Sequence, residues 1–88
     1  MVSFEEVWTR LKAHEGEVFR KVKGGEFRYQ IASSALVPDS TNQNIPRGHL
    51  EEASKLVPLR NTVVVQHLRG PSYIYAVLMD ARIRGSDW

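Results

Sequence analysis

Two adjacent glycines, Gly24 and Gly25, constrain this chain more than any other feature, because they lie between two β-prone runs. These are Val18-Phe19-Arg20-Lys21-Val22 and the alternating Phe27-Arg28-Tyr29-Gln30-Ile31. Glycine adopts left-handed backbone angles without steric cost, so such a pair between two strand-like segments reads as a tight antiparallel turn. The expected element is a β-hairpin with its tip at Lys23-Gly24-Gly25-Glu26. Alternation puts Phe27, Tyr29 and Ile31 on one face, which is the face expected to enter a core rather than to serve as a stacking platform for bases.

The hairpin also holds the steepest charge bias in the chain. Between Arg20 and Ile31 four cations, Arg20, Lys21, Lys23 and Arg28, stand against the single acid Glu26, whereas the net charge of the whole chain is only +2. A local bias of this kind suits phosphate contact, with Arg28 and one of Arg20 or Lys21 on the solvent face. Lysine and arginine on a strand also discourage edge-to-edge pairing with another chain, so the same residues have a purely structural use.

With 88 residues, of which 42% are hydrophobic, one domain with one modest core is expected and a second domain is excluded. The chain has no cysteine, which removes disulfides and most structural zinc sites and fits a reducing compartment. No apolar run approaches a membrane span. The start, Met1-Val2-Ser3-Phe4-Glu5-Glu6, lacks the features of a secretory signal, so a cytoplasmic protein without membrane partners is expected.

Ser3 and Glu6 form a capping-box pattern, and Phe4, Val7, Trp8 and Leu11 follow at helical spacing with Gly16 as a stop. Trp8 is therefore expected in the core. After the hairpin, Ala32-Ser33-Ser34 turns into a third strand at Ala35-Leu36-Val37, closed by Pro38. Asp39 to Asn44 is a polar surface loop. A second helix follows Ile45-Pro46-Arg47-Gly48, with Leu50, Ala53, Leu56 and Val57 inward, and ends at Pro58. Val63-Val64-Val65 suits a short buried strand. Gly70-Pro71-Ser72 resembles a helix entry, so Tyr73 to Met79 is read as a helix although it would also make a strand. Asp80 to Trp88 is expected to fray, with residues 85–88 outside a domain spanning 1–84.

Candidates for chemistry are sparse. His14, His49 and His67 lie on separate elements. His49 and His67 with Arg47 and Arg69 are the only set resembling a metal-independent nuclease, in which two imidazoles exchange a proton beside a phosphate-holding arginine. No histidine or carboxylate pair has metal-ligand spacing, and Gly24-Gly25 lacks the lysine and helix of a phosphate-binding loop. The match of Lys23-Gly24, Phe27 and Tyr29 to the ribonucleoprotein consensus fails at most positions. Asn42, Asn44 and Arg47 mark a second candidate surface, or merely local turn caps.

Three short segments, Glu26-Phe27-x-Tyr29, Asn44-Ile45-Pro46-Arg47 and Gly70-Pro71-Ser72-Tyr73, together resemble small bacterial proteins carried on mobile gene cassettes. The resemblance implies no activity, cofactor or site residue.

The sequence thus predicts an α+β domain: an N-terminal helix, a three-stranded antiparallel meander, then two helices packed on the sheet. The expected function is a non-enzymatic nucleic-acid-binding module that contacts DNA or RNA phosphates through Arg20, Lys21, Lys23 and Arg28, extended by Arg47 and Arg69. No cofactor or metal is expected. The alternative is a protein-interaction or homodimerising module, motivated by the apolar Tyr73 to Met79 segment and by Trp88, which a monomer was not expected to cover.

Overall fold

The computed structural model describes residues 2–88. Helix α1 spans Phe4–Ala13, and its start follows from the Ser3 hydroxyl, which accepts the Glu6 N–H at 3.3 Å. Glu5 and Glu6 occupy the first turn and Arg10 and Lys12 the last, each sign matching the helix dipole. Val7, Trp8 and Leu11 are buried. The hairpin strands are β1, Phe19–Arg20, and β2, Glu26–Phe27, paired antiparallel with Phe19 opposite Phe27 and Arg20 opposite Glu26.

The hairpin is shorter than its sequence suggests, because both glycines need the loop. Gly24 has φ +101° and Gly25 φ +29°, and neither angle belongs in a strand. The turn therefore runs from Lys21 to Gly25. The Gly24 N–H donates to the Lys21 carbonyl and the Lys21 N–H to the Gly25 carbonyl, both at 2.9 Å. Glu26, expected at the tip, is a strand residue, and Val22 occupies the turn.

The extended chain then changes partner. Strands β3, Tyr29–Ala32, β4, Ala35–Pro38, and β5, Ile45–Pro46, form the three-stranded antiparallel sheet in that order, with Ile31 opposite Leu36 and Leu36 opposite Ile45. Arg28 is the switch residue. Its N–H donates to the Asp39 carboxylate at 3.0 Å and its carbonyl accepts the Asp39 N–H at 2.9 Å, so its backbone is committed to the far end of β4. The meander thus consists of β3, β4 and β5 and does not include the first hairpin strand. Ile45, read as a lead-in to a helix, is the third strand's buried anchor.

Helix α2 spans Arg47–Ser54 and buries Leu50 and Ala53. It stops before Leu56, expected inward, which is 46 % exposed. Val63–Val65 forms a 3₁₀ turn rather than a strand. Only Val65 enters the core, while Val63 and Val64 remain exposed. Helix α3, Pro71–Leu78, buries Tyr73, Ile74, Ala76, Val77 and Leu78, while Tyr75 and Met79 are half-buried.

The C-terminal segment folds back instead of fraying. Helix α4, Ala81–Arg84, is capped by Asp80 and inserts Ile83 fully into the core. The Trp88 indole N–H donates to the Leu78 carbonyl at 2.7 Å, and Arg10 holds Asp87 at 2.6 Å. Arg82 ties this end to the hairpin. It bonds Asp80 through Nε and Nη2, both at 2.9 Å, reaches Glu17 at 3.0 Å and the Val18 carbonyl at 2.8 Å, and lies 3.8 Å from the Phe19 ring centroid. A charged fork that is both stacked and bidentate fixes geometry better than a lone surface pair.

The core is dominated by Leu11, Phe19, Tyr29, Leu36, Ile45, Leu50, Ile74, Leu78 and Ile83. The Tyr29 hydroxyl donates to the Leu11 carbonyl at 2.6 Å, and burial, followed by the charges of Glu15 and Glu17, pushes the phenol above its ordinary range. Among the described residues no helix is long and apolar enough to cross a membrane.

The Arg82 cluster sets an acid dependence. Arg82 hydrogen bonds hold the Asp80 carboxyl below its usual value of 3.8. A folded-state value below the unfolded one gives a stabilisation that is complete above the unfolded value and lost as pH falls through the folded one. Glu17, held low by His14 and then by Arg82, adds to the same acid limb. Asp80→Asn keeps a competent helix cap but removes the charge. The variant should melt below the wild type at neutral pH, and the two melting temperatures should converge as pH drops below about 4. Thermal melts across that range would show parallel curves if Asp80 carried no folded-state shift.

Candidate functional site

The hairpin turn faces the entry of α3, and between them lies a cleft of about 450 Å³, lined by Lys21, Val22, Lys23, Gly24, Gly25, Thr62, Pro71 and Ser72. One wall is the turn, where Gly24 leaves bare backbone at the surface and Gly25 lies against the Lys21 side chain, whose Cε is 3.1 Å from where a Gly25 Cβ would stand. A Cβ placed on Gly24 would meet no atom within 4 Å, so this backbone is open to approach. The opposite wall is Pro71 and Ser72, with Thr62 contributed by the segment that precedes the 3₁₀ turn. Pro71 suits this position because the first helical residue has no intrahelical use for an N–H.

The cleft is electropositive. Lys21 and Lys23 line it, no carboxylate does, and neither lysine takes part in an ion pair among the described residues. The Lys21 ammonium lies 5.0 Å from the centroid of the Tyr73 ring, an exposed-site attraction of about 0.5–1 kcal/mol that draws the side chain toward α3. Tyr73 is itself fixed. Its ring meets Phe27 edge-on with centroids 4.8 Å apart, and its hydroxyl shares a 2.8 Å hydrogen bond with Ser40. A rigid aromatic therefore positions one of the two cations.

The six basic residues expected to act together divide into three groups. Lys21 and Lys23 converge on the cleft. Arg20 is bound to Glu26 at 3.0 Å, and Arg28 sits beside a separate depression of about 220 Å³ that Glu26 and Asp39 also line. Both arginines therefore have carboxylates nearby, because the true register sets Arg20 opposite Glu26 and the ladder recruits Asp39 to Arg28. Arg47 lies elsewhere, paired with Glu5 and stacked over Phe4 at 4.9 Å and Trp8 at 5.7 Å. This makes it a clamp between α1 and α2. Arg69 is exposed and unpaired among the described residues, two positions before Pro71 of the cleft wall.

Two of the histidines, His14 and His49, make local hydrogen bonds. His49 Nδ1 accepts the Arg69 backbone N–H at 3.0 Å, which places the ring proton of its neutral form on Nε2 and joins α2 to the α3 entry. His14 Nδ1 lies 3.0 Å from Glu17. Of the two arginines grouped with His49 and His67, Arg47 is paired with Glu5, whereas the Arg69 side chain has no ion pair among the described residues. Among the described residues no three His, Asp or Glu side chains form a metal-binding group.

Sequence reasoning missed Thr62, Pro71 and Ser72 as site residues. Gly70-Pro71-Ser72 was visible as a helix entry, but nothing local indicates that it faces the turn. Comparison with family models, with curated proteins and with solved structures finds no match for the chain.

Proposed function

We propose that this is a non-enzymatic nucleic-acid-binding module of the cytoplasm that holds backbone phosphates at the cleft between the Lys21–Gly25 turn and the entry of α3. The observation that carries the reading is the convergence of two unpaired lysines, bare glycine backbone and two hydroxyl side chains in one concavity that no carboxylate lines. Lysine ammonium groups, hydroxyls and exposed backbone are the groups that commonly contact phosphates, and they position a strand without reading its sequence. Arg69 extends this surface. The absence of cysteine in the chain agrees with a reducing compartment.

A fluorescence-anisotropy titration of labelled single- and double-stranded oligonucleotides against salt tests this reading. Each phosphate neutralised on a single strand contributes a slope of about −0.7 in log K against log salt, so two lysine contacts give about −1.4. Binding that ignores salt, or no binding at low salt, would sink the proposal.

One observation favours a second reading. Val22 and Val63 are 64 % and 60 % exposed, the first in the cleft and the second next to Thr62 of its wall. Apolar side chains beside a cleft also suit a protein partner or a second copy of the chain. Light scattering on the same samples separates the two, because self-association gives a mass that rises with concentration and needs no oligonucleotide.

A further inference from the structure

We propose, on the basis of the phosphate-binding reading, that the cleft admits one unstacked nucleotide, so that single-stranded nucleic acid is the ligand and duplex is bound weakly. The size of the cleft is the first ground. At about 450 Å³ it falls in the range of roughly 300–1,000 Å³ typical of sites that enclose a small organic molecule. A phosphate held on surface lysines needs no such volume. The walls are the second ground. Val22 and Pro71 supply apolar surface inside, Gly24 and Gly25 line it with polar backbone, and Lys21 and Lys23 supply charge. This combination matches a nucleotide, whose base is flat and largely apolar on its faces and whose phosphate is anionic.

Val22 is the third ground. Turns are dominated by glycine, proline, asparagine, aspartate and serine, yet this turn carries a β-branched apolar residue that is 64 % exposed and lines the cleft. A base laid against Val22 and Pro71 removes that surface from water. Gly24, with open space where a Cβ would be, lets the ring approach the backbone. The Thr62 and Ser72 hydroxyls are available to the sugar or to base edges, which explains polar groups in an otherwise apolar wall. In a duplex the bases are stacked and paired, and filling the cleft would require one to be flipped out at a cost that a single strand largely avoids.

The test compares an oligothymidylate, an oligouridylate and a duplex hairpin of equal charge in anisotropy titrations at one low salt concentration, with wild type and Val22→Ser. Single strands should bind about tenfold more tightly than the duplex, and Val22→Ser should remove most of that preference by weakening single-strand binding. Val22 lies outside the core, and matching thermal melts would show that the variant is folded. Equal, salt-dependent affinity for single strand and duplex, unaffected by Val22→Ser, overturns this inference and leaves the phosphate-binding reading standing. No nucleic-acid binding at all overturns both. Displacement of a labelled strand by an oligoglutamate as effectively as by an unlabelled strand would assign the cleft to acidic protein segments and likewise overturn it.

Discussion

Ile83→Ala is expected to lower the unfolding free energy by about 2–5 kcal/mol, the range for truncating a fully buried isoleucine where the surroundings cannot collapse. Ile83 has no exposed surface, and it sits in a helix of only four residues. Such a helix cannot sustain itself from its own hydrogen bonds and persists only through the packing of its apolar side chain. The loss is large against the roughly 5–15 kcal/mol that a small domain has in total. Urea denaturation should show a lower midpoint with little change in slope. A change below about 0.5 kcal/mol, typical of an exposed position, would mean that residues 80–88 do not dock. The consequence reaches the hairpin, because Arg82 of the same helix bonds the Val18 carbonyl and stacks on Phe19.

The elements legible in the sequence are those whose determinants are local. Helix α1 combines the Ser3 cap with a periodic apolar stripe, and α3 begins at the Pro71 that marked it. The α+β class, a three-stranded antiparallel sheet and its strands β3 and β4 followed from the same local signals, whereas β5 did not. What remained hidden depended on distant partners. Val63-Val64-Val65 has high strand propensity, but propensity describes fitness for a half-buried pleated surface. The three-stranded sheet ends at β5, and these valines form a turn of which only Val65 faces the core. The C-terminal segment was expected to fray, and what holds it lies far along the chain or in the helix before it: Glu17 and the Val18 carbonyl for Arg82, and the Leu78 carbonyl for Trp88.

The candidate site was half visible for the same reason. Charge bias pointed to the hairpin, and Lys21 and Lys23 do face one cleft. Periodicity could not show that Arg20 pairs with Glu26, three residues short of the Tyr29 that a tip at Lys23-Gly24-Gly25-Glu26 would set opposite it, or that Asp39 reaches back to Arg28. The opposite wall, Thr62, Pro71 and Ser72, is some forty to fifty residues away along the chain. Charge counting identifies a surface, whereas only tertiary placement separates its free cations from those already paired.

That distinction yields the largest functional effect. Reversing Lys21 and Lys23 together to glutamate should weaken binding of a single-stranded oligonucleotide by roughly 100-fold at low salt and flatten its salt dependence. A unit charge pair about 4 Å apart is worth about 1 kcal/mol in water. Reversing two lysines alters the interaction by four such units, or about 4 kcal/mol, and ionic screening reduces that to the roughly 100-fold loss expected. The fold should tolerate the change. Lys23 is exposed and unpaired among the described residues, and Lys21 gives up its contact with the Tyr73 ring and its packing on Gly25 but no ion pair, so near-unchanged thermal melts are the control. Arg28→Glu supplies the contrast, since it reverses one exposed cation next to the hairpin that stands beside Glu26 and Asp39 outside the cleft. If the loss of affinity reflects net charge alone, Arg28→Glu should give about half of the double variant's effect in free energy. If phosphates bind at the cleft, Arg28→Glu should cost less than about threefold. Anisotropy titrations of the two variants side by side decide between a site and a general positive field.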